Sequence, residues 1–152
     1  MRIGMHIILS CLLLTAALPA VAETDGPLQV ENAWIREAPP GSATLAGYLT
    51  LVNRGATPVT ISEISSPEFG AAEIHLSLVE NGVAKMIAVG NLEIPAGSSV
   101  MLQPGGYHLM LFRPVRELHA GDTVTLHLYR ADGACLLVNA PVLRNNDTDQ
   151  RP

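Results

Sequence analysis

From Glu23 onward the sequence breaks into short segments that alternate apolar and polar residues. Gly, Pro, Asn or Asp interrupts each segment before a helical period can build up. A period of two is the pattern of a half-buried strand, and a series of such strands divided by turn residues is the pattern of an all-β sandwich or barrel. Strands are expected over 28–36, 45–52, 59–64, 72–80, 92–95, 100–102, 107–112, 123–129 and 134–142. Pro58 has no N–H to give to a ladder, so the strand after it is expected to begin at Val59 and to lie at a sheet edge.

Two turns set registers that can be checked. Asn81-Gly82 is the strongest two-residue hairpin signal. It pairs Glu80 with Val83, Ser77 with Met86 and Leu76 with Ile87, so that Ile74, Leu76 and Leu78 share a face with Ile87 and Val89. The same register brings Met86 onto the face of His75 as a diagonal neighbour, roughly 7–8 Å away. A three-residue loop with Gly133 in the left-handed position pairs Leu128 with Leu136 and Leu126 with Val138, and sets Cys135 across from Tyr129. In 107–112, His108 and Met110 point to one face while Tyr107, Leu109 and Leu111 point to the other.

The first 22 residues do not belong to this pattern. Arg2, a short apolar run over 7–18 and the Ala20-Val21-Ala22 cleavage signal make them a secretory signal peptide, with the mature chain starting at Glu23. The run is too short to span a bilayer. Ile8-Leu9-Ser10-Cys11 matches a lipoprotein box only loosely, because most of the apolar run follows the cysteine instead of preceding it. Loss of Arg2 takes the formal net charge from −5 to −6, and Lys85 is the sole lysine. That acidity argues against nucleic acid and against an anionic membrane surface, both of which call for basic patches. One cysteine, Cys135, remains after cleavage, so no disulfide can form within the mature chain. The mature chain is expected to be one domain over 23–143, followed by a disordered polar tail over 144–152.

Residues 75–110 hold two of the four histidines and all three methionines left after cleavage, and among them His75, Met86, His108 and Met110 stand out as possible ligands. Imidazole and thioether together suit monovalent copper, and thioether sulfur has little affinity for zinc, calcium or magnesium. Methionine carries no proton, so only the histidines would make metal affinity fall in acid. A blue-copper electron-transfer site also needs a cysteine thiolate, and no His or Met follows Cys135. No nucleophile constellation stands out: Ser98-Ser99 lies outside any G-x-S-x-G motif, and Ser77 beside His75 has no orienting carboxylate except Glu73. An enzyme is not expected. Composition and spacing leave open a structural reading, in which the methionines fill core gaps and the histidines are satisfied surface groups. His119 and His127, with no methionine near them, are expected at the surface, and Cys135 is expected to be small and partly buried.

The chain also resembles the PCuAC family of periplasmic copper chaperones over most of its mature length. That family's signature is a His, ten residues, a Met, twenty-one residues, then His-x-Met, and His75, Met86, His108 and Met110 fit it without insertion. The surrounding words match as well: Asn32-Ala33-Trp34-Ile35-Arg36, Tyr48-Leu49-Thr50-Leu51-Val52-Asn53, Ile94-Pro95-Ala96-Gly97, and Pro104-Gly105-Gly106-Tyr107-His108-Leu109-Met110-Leu111. The resemblance implies a cupredoxin-like Greek-key β-sandwich or barrel that holds one Cu(I) per chain on those four residues. It also implies a monomeric periplasmic carrier whose recipient is the subunit of cytochrome c oxidase bearing CuA, or an intermediary copper chaperone. Some relatives have a His- and Met-rich tail that can hold a second, cupric ion. The tail after Val142 has neither residue, so one site is expected. Rival readings are a periplasmic scavenger for copper tolerance and a metal-free interaction domain.

Overall fold

The computed structural model of the chain describes residues 26–144. The expected signal peptide, 1–22, and all but the first residue of the expected tail, 144–152, lie outside the described residues. Ten strands follow one another: β1 (Leu28–Arg36), β2 (Thr44–Asn53), β3 (Val59–Ser65), β4 (Phe69–Glu80), β5 (Val83–Val89), β6 (Leu92–Ile94), β7 (Ser99–Leu102), β8 (Tyr107–Pro114), β9 (Thr123–Arg130) and β10 (Cys135–Leu143). Their hydrogen-bonded order is β5-β4-β8-β7-β2-β1-β10-β9-β3-β6, with β8 also pairing β2 and β4 also pairing β3. The β3–β4 contact, at Ile64 and Ala72, joins the two halves of that order and closes the sheet into a barrel. β5 and β6 hang on the ring as added strands, each paired on one side. Most ladders are antiparallel; β1–β10 and β7–β8 run parallel.

Both expected hairpin registers form. Glu80 pairs with Val83, Ser77 with Met86 and Leu76 with Ile87. The turn between them has φ of 52° at Asn81 and 76° at Gly82, positive at both central residues, as a type I′ turn requires. Leu128 pairs with Leu136, Leu126 with Val138 and Tyr129 with Cys135, around Gly133 at φ 90°.

Three expectations need correction. β3 does begin at Val59, but it is no edge: it pairs with β9 on one side and β6 on the other. Pro58 stands just before the ladder, so its missing N–H interrupts no pairing, and Val59, Ile61 and Ile64 all enter the core. The apolar face of the β4–β5 hairpin is buried only at its base. Ile74 is enclosed, but Leu78 is 36% exposed and Ile87 and Val83 are more so, because the hairpin runs out beyond the barrel. Cys135 is exposed instead of partly buried, since its position opposite Tyr129 lies on the outer face of β10.

The core is one cluster drawn from alternate positions of the strands, including Ile35, Leu49, Leu51, Ile61, Ile74, Leu109, Leu111, Leu126 and Leu128. Around β8 it is especially tight. Leu109 and Leu111 have no exposed surface, and Leu109 sits opposite Gly47 of β2. A Cβ at Gly47 would lie 2.9 Å from Ile35 Cδ1 and 3.2 Å from Leu109 Cβ, so the absence of a side chain there lets three strands pack closely. Leu109→Ala removes a fully buried side chain from this point and is expected to lower the unfolding free energy by about 2–5 kcal/mol. Urea denaturation measures it; a change near zero would mean that β8 is not anchored through Leu109.

Candidate metal centre

The four sequence-singled residues lie on strands β4, β5 and β8, and the β4–β8 ladder decides how they meet. In that ladder His75 is directly opposite His108, and Glu73 is opposite Met110. Side chains alternate along a strand. With Ile74 of β4 and Leu109 and Leu111 of β8 turned into the core, Glu73, His75, His108 and Met110 must emerge on the outer face. On the far side of β4, Ser77 is opposite Met86 and His75 opposite Ala88, which puts Met86 on that face too. His75 is therefore the hub: His108 is its direct cross-strand neighbour, and Met110 and Met86 are its diagonal neighbours on either side. The structure brings all four to one patch of sheet.

Their burial is graded. His108 is buried, at 6% exposure, and the His75 side chain is 15% exposed. Met110 is half-buried, whereas Met86, on the outlying strand, is 64% exposed. The imidazole rings of His75 and His108 have centroids 6.1 Å apart, and the ring of Phe112 stands 6.2 Å from that of His75. A metal bound to imidazole nitrogen lies about 2 Å from it, so two rings sharing one ion have centroids no more than roughly 6.5 Å apart. The observed spacing lies within that limit, which is reached with the rings on opposite sides of the ion; a tetrahedral ion draws the centroids in to about 5 Å.

Hydrogen bonds orient the rings. His108 Nδ1 is 3.0 Å from the Gly106 carbonyl, which can only accept. A neutral His108 thus carries its proton on Nδ1 and leaves the Nε2 lone pair free. His75 Nε2 is 2.9 Å from Glu73 Oε2, and His75 Nδ1 is buried without a hydrogen-bond partner. The face continues onto β2 and β1, where Tyr48 is opposite Trp34. Their rings have centroids 4.6 Å apart, and the Arg36 guanidinium lies 5.2 Å from the Tyr48 ring. Burial pushes the Tyr48 hydroxyl above its ordinary pKa.

The patch thus brings together two imidazoles and two thioethers, side-chain types that suit a soft monovalent ion. Among the described residues no group of three or more His, Cys, Asp or Glu side chains gathers to hold a metal. The other candidates stay apart: His119 makes contacts at 3.8 Å with Glu37 and Glu117, His127 pairs on β9 with Leu137, and Cys135 lies on β10. Two neighbours escaped the sequence reading, Glu73 as a partner of His75 and Phe112 as its ring neighbour. Spacing signals both, because Glu73 is two before His75 and Phe112 two after Met110, each on the donor face.

Comparison with known proteins places this geometry. A family model described as "Putative lipoprotein LpqE-like" matches residues 28–142. The chain is 33% identical over 130 residues to "Putative lipoprotein Lxx21020" of Leifsonia xyli subsp. xyli, an alignment covering 82% of this chain and 77% of that protein. It is similar to the solution structure of CuI-DR1885 from Deinococcus radiodurans, with a TM-score of 0.62, 30% identity and 83% of each chain covered. The copper-bound PCuAC domain from PmoF2 superposes with a TM-score of 0.67 over 78% of this chain and 94% of that one. At 20% identity that second likeness is one of fold.

The graded burial has a direct consequence for stability. In metal-free protein, Met86→Ala is expected to change the unfolding free energy by no more than about 0.5 kcal/mol, as for an ordinary surface site. His108→Ala, which empties a buried position and removes one of the two donors to the Gly106 carbonyl, leaving the Ser77 N–H, is expected to cost about 1–3 kcal/mol. Equal costs in chemical denaturation would contradict the exposed-rim, buried-floor geometry.

Proposed function

We propose that this chain, which belongs to the LpqE-like family and has the fold of PCuAC domains, is a carrier of Cu(I). One ion per chain is held by His75, Met86, His108 and Met110 and passed to a copper-accepting protein. The observation that carries this reading is the β4–β8 register, which sets His75 opposite His108 with both methionines on the same face. The relative DR1885 has been solved with Cu(I), and at 30% identity it supports the same cargo here.

The chemistry suits carrying. Four neutral donors leave the charge of the monovalent ion unchanged, and thioethers release it without a proton transfer. Met86 sits at the exposed rim, so it is the ligand that an incoming donor replaces first. His75 and His108 form the sheltered floor that the ion leaves last. A coordinatively filled Cu(I) with no open position favours transfer over catalysis, and the protein is accordingly not an enzyme in this reading.

The recipient in this reading is the CuA-bearing subunit of cytochrome c oxidase or an intermediary chaperone, as resemblance to PCuAC proteins implies. The chain acts in the periplasm as a monomer, exported by the signal peptide over 1–22. The lipoprotein names of the matching family and relative support export.

Anaerobic titration with Cu(I) against a competing chelator tests the carrier reading. The expected result is a one-to-one complex that is lost when Met86 and His108 are both replaced by Ala. Absence of a tight complex, or the same affinity in the double variant, ends the assignment. A strain lacking the protein is expected to lose oxidase activity at low copper. Loss of copper resistance alone would instead indicate scavenging.

A further inference from the structure

Glu73 belongs to the donor face but not to the donor set. It stands two residues before His75 on β4, and its Oε2 lies 2.9 Å from His75 Nε2. An ionised carboxylate can only accept, so a neutral His75 carries its proton on Nε2 and its lone pair on Nδ1. That Nδ1 is buried and no donor reaches it. Leaving a buried acceptor unsatisfied costs on the order of 1–3 kcal/mol, and few buried polar atoms are left in that state. A bare nitrogen lone pair on a face with two thioethers and a second imidazole is a ligand atom awaiting its ion. Metal-bound histidines almost always give their other ring N–H to a carboxylate, a backbone carbonyl or water. His108 has the carbonyl version, through Gly106, and His75 has the carboxylate version.

We infer that Glu73 is a positioning residue for the metal centre: by accepting the Nε2–H of His75 it presents Nδ1 to Cu(I), while the Gly106 carbonyl presents Nε2 of His108. The inference rests on the copper reading above and adds to it which atom of each ring binds and what holds it there. The two histidines coordinate through different nitrogens. Both rings are already oriented in the metal-free protein, so loading requires no ring flip. Glu73 strengthens His75 as a donor from one ring's width away, without offering the soft ion a hard oxygen ligand. Its side chain is 51% exposed, so its charge stays solvated and its replacement leaves the core intact.

The test uses nitrogen-15 labelled protein loaded anaerobically with Cu(I), whose filled d shell leaves NMR lines sharp. Long-range proton–nitrogen correlations are expected to show Nδ1 of His75 and Nε2 of His108 shifting on loading, with the proton retained on His75 Nε2. In competition titrations Glu73→Ala is expected to weaken Cu(I) binding roughly 10- to 100-fold. Glu73→Gln, whose amide oxygen still accepts the bond, recovers part of that loss, and Glu63→Ala, at an exposed position of β3, leaves affinity unchanged. Unfolding of each metal-free variant verifies that the fold persists. Wild-type affinity in Glu73→Ala, or His75 bound through Nε2 with its proton on Nδ1, overturns the role of Glu73 and leaves the copper site standing. Failure of the wild-type chain to bind Cu(I) overturns both.

Discussion

The pairing of β4 with β8 is the constraint on which everything at the outer face depends. It sets His75 opposite His108 and leaves Leu109 and Leu111 pointing the other way into the core. The two faces of β8 thus enforce each other. A slip of one residue would turn the buried leucines outward and both donors inward, a cost that the packed Leu109–Gly47–Ile35 contact makes prohibitive. Core packing on the inside therefore specifies where the His and Met side chains stand on the outside, and they need little stabilising contact of their own.

From that ladder the site grades outward. His108 is enclosed and tied to Gly106, His75 is braced by Glu73 and Phe112, and Met86 stands on a hairpin that has left the barrel. A protein that stored copper permanently would gain from burying every ligand. A protein that must surrender copper needs a reachable donor, and in the proposed carrier the exposed thioether at the rim takes that part. On the same face of the hairpin as Met86, Val79 is exposed and apolar as well, so a recipient approaching Met86 meets an apolar neighbour.

The local parts of this arrangement were legible in the sequence. Asn81-Gly82 fixed the β4–β5 register because a turn with two positive φ angles admits few other residues, and alternation fixed the common face of His108 and Met110. The convergence of the two pairs was not legible. It depends on β8 pairing with β4 across an intervening stretch that holds three other strands, and no local rule supplies such a pairing. The edge assignment for β3 failed for a related reason: Pro58 governs only its own ladder position and says nothing of which strands flank the next residues. Cys135 was placed opposite the right residue but given too little exposure, since β10 meets solvent on its outer face. Glu73 is visible in the sequence as the carboxylate two before His75, a spacing that sets it beside the histidine on the same face of β4.

The central claim is that a single Cu(I) is held by two imidazole nitrogens and two thioether sulfurs drawn from three strands. X-ray absorption at the copper edge of the one-to-one Cu(I) complex tests it most directly. The account predicts a first shell of two nitrogen and two sulfur neighbours, with the sulfur contribution reduced by half in Met86→Ala. A shell without sulfur, or one unchanged by that substitution, would contradict it.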